Sequence, residues 1–115
     1  MSDRYATAIE RLSRVDGVEG ALVAEAAAGV PVAAELADGV DGNAVAALAA
    51  SMYRRAERAT ATGGFEALGT LQLEAAGGHV IVAPAGEVLV IAVAASDAQL
   101  GLVRVETQRA AESLL

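Results

Sequence analysis

The stretch HVIVAPAGEVLVIAVA, residues 79–94, lies in the most apolar part of the sequence and decides its fold class. It contains two apolar runs, 79–83 and 88–94, separated by the turn-forming residues 84–87. Each run is apolar at both alternating positions, and strands of this kind are covered on both faces. The stretch therefore predicts two neighbouring strands in the interior of a sheet.

A third strand is predicted immediately upstream, over residues 67–75. Here Leu71 and Leu73 alternate with polar residues, which is the pattern of a strand with one covered face. Gly77 and Gly78 supply the turn into the next strand. A half-covered strand fits an edge of the sheet.

A long helix precedes this strand and is predicted from Asn43 to about Ala61, with Asp41 as its N-terminal cap and a glycine pair as its end. Two stripes of residues at helical spacing run along it. The first consists of Val45, Leu48, Met52, Ala56 and Ala59. The second, poorer in bulk, consists of Ala46, Ala50, Tyr53 and Glu57. Both faces are suited to contact, and the small side chains of the second permit close approach to another helix.

The remaining segments complete an α+β order of elements. Residues 15–20 contain two glycines for tight turns, and an apolar strand then begins at Ala21. A second strand over 30–35 contains Pro31, which cannot donate a ladder hydrogen bond and therefore belongs at a sheet edge. One-sided apolar patterns predict helices at both ends of the chain. The sequence predicts a single domain over residues 1–115, in the order α-β-β-α-β-β-β-α.

Composition excludes several classes of function. The 115 residues are 55% hydrophobic, carry a net charge of −7 and include no cysteine and one histidine. All eight basic residues are arginine, so neither a lysine Schiff base nor a lysine-containing phosphate loop is available. The acidic balance argues against a nucleic-acid partner, and no apolar run is long enough for membrane insertion. We expect a cytoplasmic protein without metal or cofactor.

Three features suggest chemistry but have simpler explanations. His79 lacks a nucleophile frame around any serine, so a half-exposed strand residue is favoured over a catalytic base, and no catalytic residue is predicted. Residues 38–43 miss the acid spacing of a calcium loop and are interpreted as a turn and helix cap. The pairs at 63–64 and 77–78 do not open a helix after a strand, so a helix end and a hairpin turn explain them better than a phosphate cradle.

Five segments together resemble the roadblock/LC7 family of regulators. They are VDGVEGALV at 15–23, GVPVA at 29–33, AALAA at 46–50, LGLVRVE at 100–106 and RAAE at 109–112. The resemblance implies a profilin-like fold, in which an antiparallel five-stranded sheet has the middle helix on one face and the terminal helices on the other. Family members typically dimerise, with the middle helices side by side and the third strands paired edge to edge.

The resemblance also implies a function and a set of contact residues. It implies a non-enzymatic homodimer that binds a small Ras-like GTPase and modulates its nucleotide cycle. The interface would contain Ala46, Ala50, Tyr53, Glu57, Leu71 and Leu73. A positive patch at Arg54, Arg55 and Arg58 would bind the GTPase, although these arginines could equally be solvated charges at the end of a helix. A scaffold subunit without a GTPase partner and, third, a small-ligand sensor remain the alternatives.

Overall fold

The computed structural model describes residues 3–115 and contains the predicted elements in the predicted order. Their bounds are α1 (Asp3–Ser13), β1 (Val18–Glu25), β2 (Pro31–Leu36), α2 (Gly42–Thr62), β3 (Leu71–Ala75), β4 (Gly78–Ala85), β5 (Val88–Ala95) and α3 (Leu100–Glu112). Residues 1 and 2, part of the domain predicted over 1–115, lie outside the described residues.

The five strands form one antiparallel sheet in the order β2-β1-β5-β4-β3. The two apolar strands β4 and β5 are in its interior, as their composition predicted, because neither can expose a face without exposing valine or isoleucine. β2, which begins with Pro31, and the alternating strand β3 form the two edges. Both edge predictions are confirmed.

The side chains of each interior strand divide between two hydrophobic cores. In β1, Ala21 and Val23 point to the core under α1 and α3, whereas Leu22 and Ala24 point to the core under α2. This division follows from the two-residue period of a strand. The middle helix therefore covers one face and the terminal helices the other, as predicted.

Helix α2 begins and ends at the predicted signals. The backbone N–H of Ala44 donates to Asp41 Oδ1 at 3.1 Å, which satisfies one of the free amides of the first turn. Gly64 follows the helix with φ of +85°, a conformation that favours glycine. Within residues 3–115, no helix combines the length and apolar character needed to cross a membrane.

Two strand starts differ from the prediction by three residues or more. β1 begins at Val18, and Gly20 lies within the strand at an irregularity in its pairing with β5. A Cβ on Gly20 would come within 2.9 Å of Leu36 Cδ2. The glycine is therefore needed for close packing against β2 and not for a turn. β3 begins at Leu71, four residues later than predicted, because the carbonyls of Leu68 and Gly69 are bound by a side chain of α2.

Candidate binding surface on the middle helix

Three residues predicted to contact a second subunit are buried inside their own subunit. Ala46 and Ala50 are fully buried and Tyr53 nearly so, in the core formed with strand residues such as Leu22 and Ile91. The small side chains serve to bring α2 close to its own sheet. A surface role for these three residues is therefore wrong, whereas Glu57, one turn beyond Tyr53, is exposed.

Tyr53 ties the segment after α2 to the helix. Its hydroxyl lies 2.8 Å from the carbonyl oxygen of Leu68 and 3.0 Å from that of Gly69, so its single proton is shared between two acceptors. Burial, and secondarily the negative charge of Glu57, raise the pKa of Tyr53 to about 12. The protonated form is the one that the fold requires.

This raised pKa predicts a loss of stability in alkali. The pKa of Tyr53 is higher in the folded protein than its ordinary value of 10.0, so its contribution is complete below about pH 10 and falls as the pH rises towards 12. No lysine titrates in this interval because the chain has none. Urea unfolding at stepped pH should show the decline in the wild type and in the control Tyr5→Phe. An equally steep decline in Tyr53→Phe would contradict this assignment.

Arg54 is also committed to a contact within the subunit. Its Nη1 donates to the carbonyl oxygens of Ala26 and Ala27 at 3.0 and 3.1 Å, in the turn between β1 and β2. The same turn approaches α2 at Gly29, where a Cβ would lie 3.3 Å from Ala50 Cβ. The arginine thus connects the first hairpin to the middle helix, and its predicted role in partner binding stays a prediction.

Replacing Arg54 by alanine is expected to cost about 1.5–3 kcal/mol of unfolding free energy, since hydrogen bonds from a charged donor contribute on this scale. Arg58→Ala is the matched control and should stay within about 0.5 kcal/mol of the wild type, because Arg58 is exposed. Urea denaturation measures both. Equal losses in the two variants would show that the contact with the turn contributes nothing.

The opposite side of α2 is free of the sheet, and we call it the outer α2 surface. Leu48 is 44% exposed there, Ser51 follows it by three residues, and Arg55 and Arg58 continue the same side of the helix at seven and ten residues from Leu48. Among the described residues, neither of these two arginines forms an ion pair. The surface therefore combines an exposed leucine with two unpaired positive charges.

An apolar margin lies beside this surface at the β3 edge. Leu71 and Leu73 pair with Val82 and Val80, which places both leucines on the α2 side of the sheet, where they are half-buried. Phe65, in the segment between α2 and β3, is 74% exposed. The two leucines predicted at the interface are thus partly accessible on the same side of the sheet as α2.

His79 differs from its predicted exposure. It is 6% exposed, on the face of β4 that carries Ile81 in the core under α1 and α3, and its Nδ1 has no hydrogen-bond partner among the described residues. The expectation of a half-exposed residue is wrong because this face of β4 is already buried at His79, next to the turn that precedes the strand. Within residues 3–115, no cluster of three or more potential ligands could hold a metal ion.

The sequence of α2 contains a pattern that indicates which face packs against the sheet, but neither of the two predicted stripes matches it. The buried set is Ala46, Ala49, Ala50 and Tyr53, at spacings of three, four and seven residues. Leu48 lies across the helix from this set, and it belongs to the outer α2 surface. Including Ala49 with Ala46, Ala50 and Tyr53 would have indicated the face of α2 that packs against the sheet.

The arrangement of one helix on one face of the sheet and two terminal helices on the other defines a profilin-like α+β protein. Profilin II of Acanthamoeba castellanii superposes with a TM-score of 0.64 at 18% identity, covering 96% of this chain and 95% of that chain. A model of the Roadblock/LC7 domain matches residues 5–95. The chain therefore belongs to the Roadblock/LC7 domain family.

Solved structures of bacterial members share the fold closely. MglB of Myxococcus xanthus superposes with a TM-score of 0.85 at 17% identity, covering 97% of this chain and 92% of that chain. A structure described as MglB with a tetrameric arrangement has a TM-score of 0.84 at 24% identity, covering 99% and 89%. A comparison with curated proteins gives no match. Identities this low show the shared fold alone.

Proposed function

We propose that this protein is a non-enzymatic homodimeric regulator or adaptor that binds a small Ras-like GTPase and modulates its nucleotide cycle. The observation that carries the proposal is the outer α2 surface, where Leu48 is exposed beside the unpaired charges of Arg55 and Arg58. Membership of the Roadblock/LC7 family supports it. The isolated protein is expected neither to bind nor to hydrolyse GTP.

The dimer is proposed to form through α2 and the β3 edge. Leu48 and Ser51 replace the buried Ala46, Ala50 and Tyr53 as the helix contacts, while Leu71 and Leu73 keep their predicted place. An exposed leucine on a helix is unfavourable in water, and an unpaired strand edge leaves backbone groups without partners. A second copy that covers both removes these two disadvantages. The tetrameric arrangement described for an MglB of the same fold is consistent with self-association through such surfaces.

The GTPase is proposed to bind the Arg55 and Arg58 end of the outer α2 surface on the two subunits, beyond the Leu48 and Ser51 contact between them. A two-fold axis beside α2 would bring Arg55 and Arg58 of both subunits onto one face, which is positive on a protein of net charge −7. Charges at the rim of an interface act mainly on the association rate and its salt dependence. A surface shared by two subunits is better suited to holding the switch loops of the GTPase than to inserting one arginine into its active site.

Affinity isolation from native extract tests this function. Wild-type protein should retain a small GTPase, and the Arg55→Ala/Arg58→Ala variant should retain less of it. Recovery of other proteins without a GTPase would favour a scaffold subunit, and recovery of no protein would favour a small-ligand sensor. Either of the last two results contradicts the proposal.

A further inference from the structure

The outer edge of β2 presents backbone groups that no described residue binds. The N–H of Ala37 donates to the carbonyl oxygen of Glu19 at 2.8 Å, and Gly20 and Leu22 stand opposite Leu36 and Ala34. In an antiparallel pair, hydrogen-bonded and non-hydrogen-bonded positions alternate. Ala34 and Leu36 therefore point their N–H and C=O groups away from β1, towards the open side of the sheet.

A groove runs between this edge and α1. It has a volume of about 350 Å³, and its walls are Ala6, Ile9 and Glu10 of α1 and residues 32–35 of β2. Its apolar side chains are flanked by the carboxylates of Glu10 and Glu35. Ser13 Oγ lies 3.0 Å from Glu35 Oε2, within hydrogen-bond distance, which helps to hold this carboxylate in position.

The negative charge continues along the edge beyond Ser13. A second groove, of about 280 Å³, is lined by Glu19 and again by Glu35. Of the residues described by the structure, no arginine lines either groove. A strand added at this edge would place every second side chain beside Glu35, on the α1 side, and the intervening side chains beside Ala34 and Leu36, on the α2 side.

A second copy of this chain would bring further negative charge to the site. Its own edge strands carry Glu35 in β2 and Glu74 in β3, and like charges opposite each other across a strand pair are destabilising. Glu35 thus protects the edge against self-pairing. The Glu35 carboxylate would instead attract a positively charged side chain of a different protein segment paired at this edge.

We infer that the β2 edge binds an extended segment of a partner protein, in which basic and apolar residues alternate, as a sixth strand of the sheet. Main-chain hydrogen bonds to Ala34 and Leu36 supply the pairing, and Glu10 and Glu35 select the basic side chains. The site lies at the opposite end of the sheet from the β3 edge. It is therefore independent of the proposed dimer and of the GTPase.

The test uses the full chain and a short synthetic peptide of alternating lysine and valine, blocked at both ends and fluorescently labelled. Anisotropy titration should show saturable binding that weakens as salt is added. The amides of Ala34 and Leu36 should shift in NMR spectra and become protected from hydrogen exchange. A peptide of alternating glutamate and valine should not bind.

Two variants and one modified peptide distinguish strand addition from general attraction to an acidic protein. Ala34→Pro removes an outward N–H without removing a bond to β1, and should weaken binding about tenfold. Glu35→Gln should weaken binding and flatten its salt dependence, whereas the control Glu112→Gln, on α3, should change neither. A peptide N-methylated at alternate amides tests the same contact on unaltered protein and should lose affinity.

Any one of three results in the comparative experiments would overturn the inference. They are equal affinity of the N-methylated and unmodified peptides, equal affinity of Glu35→Gln and Glu112→Gln, and NMR shifts that avoid β2. Absence of binding by the lysine–valine peptide would overturn it as well.

Discussion

Replacing Ala50 by glutamate is expected to abolish the native state under conditions in which the wild type is folded. Ala50 is fully buried between α2 and the sheet, and the first hairpin approaches it at Gly29. A carboxylate there would be buried without a partner, at a cost of about 3–5 kcal/mol. This is a large part of the stability of an ordinary domain. Circular dichroism and urea denaturation measure the loss.

The matched control is Ala44→Glu, the same substitution at an exposed position of the same helix. Ala44 lies in the first turn of α2, where a negative charge interacts favourably with the helix dipole. This variant should fold like the wild type. A folded Ala50→Glu protein would mean that Ala50 faces away from the sheet and that the assignment of the inner face of α2 is wrong.

Replacing Leu48 by glutamate is expected to separate the proposed dimer into folded monomers. Leu48 lies on the outer α2 surface, so its replacement leaves the core intact but places a charge where two helices would meet. A residue at the centre of an interface contributes about 2 kcal/mol or more, and a homodimer loses two such residues, so its dissociation constant should rise about a thousandfold. Sedimentation equilibrium over a range of concentrations measures it.

Leu102→Glu is the control for this experiment. Leu102 is 43% exposed, almost the same as Leu48, but it lies on α3, on the other face of the sheet. The control should keep the wild-type association. Dimers that persist in Leu48→Glu, or dissociate in Leu102→Glu, would contradict the proposed interface.

The arrangement of the sheet could be predicted because local sequence determines most of it. A strand that is valine or isoleucine at both alternating positions needs cover on both faces, which placed β4 and β5 in the interior. Pro31 has no backbone N–H to donate to a neighbouring strand, which predicted an edge position for β2. In both cases the reason lies within a few consecutive residues.

The faces of α2 could not be assigned in the same way. Its alanines make several faces similar in hydrophobicity, so the inner face depends on contacts with distant segments. Tyr53 binds the carbonyls of Leu68 and Gly69, and Arg54 binds the turn at Ala26. Each contact spans at least fifteen residues of chain. No spacing within the helix indicates that Arg54 turns inward while Arg55 turns to solvent.

The burial of His79 was missed for a related reason. Its position after two glycines, at the start of a strand, is typical of a residue near the surface. It lies on the face of the sheet that the terminal helices cover, and these helices are far from it in sequence. Local patterns predicted that these helices exist but not how far along β4 their cover extends.

A small GTPase is proposed to bind Arg55 and Arg58 of the outer α2 surface, and a salt-dependent binding titration is the decisive test. The GTPase recovered from extract, loaded with a non-hydrolysable GTP analogue, is titrated with wild type, with Arg55→Ala/Arg58→Ala and with the control Arg11→Ala/Arg104→Ala. The control also removes two exposed arginines, but outside the outer α2 surface. Weaker affinity and a flatter salt dependence are expected for the first variant alone. Wild-type affinity and salt dependence in Arg55→Ala/Arg58→Ala would contradict the proposed binding.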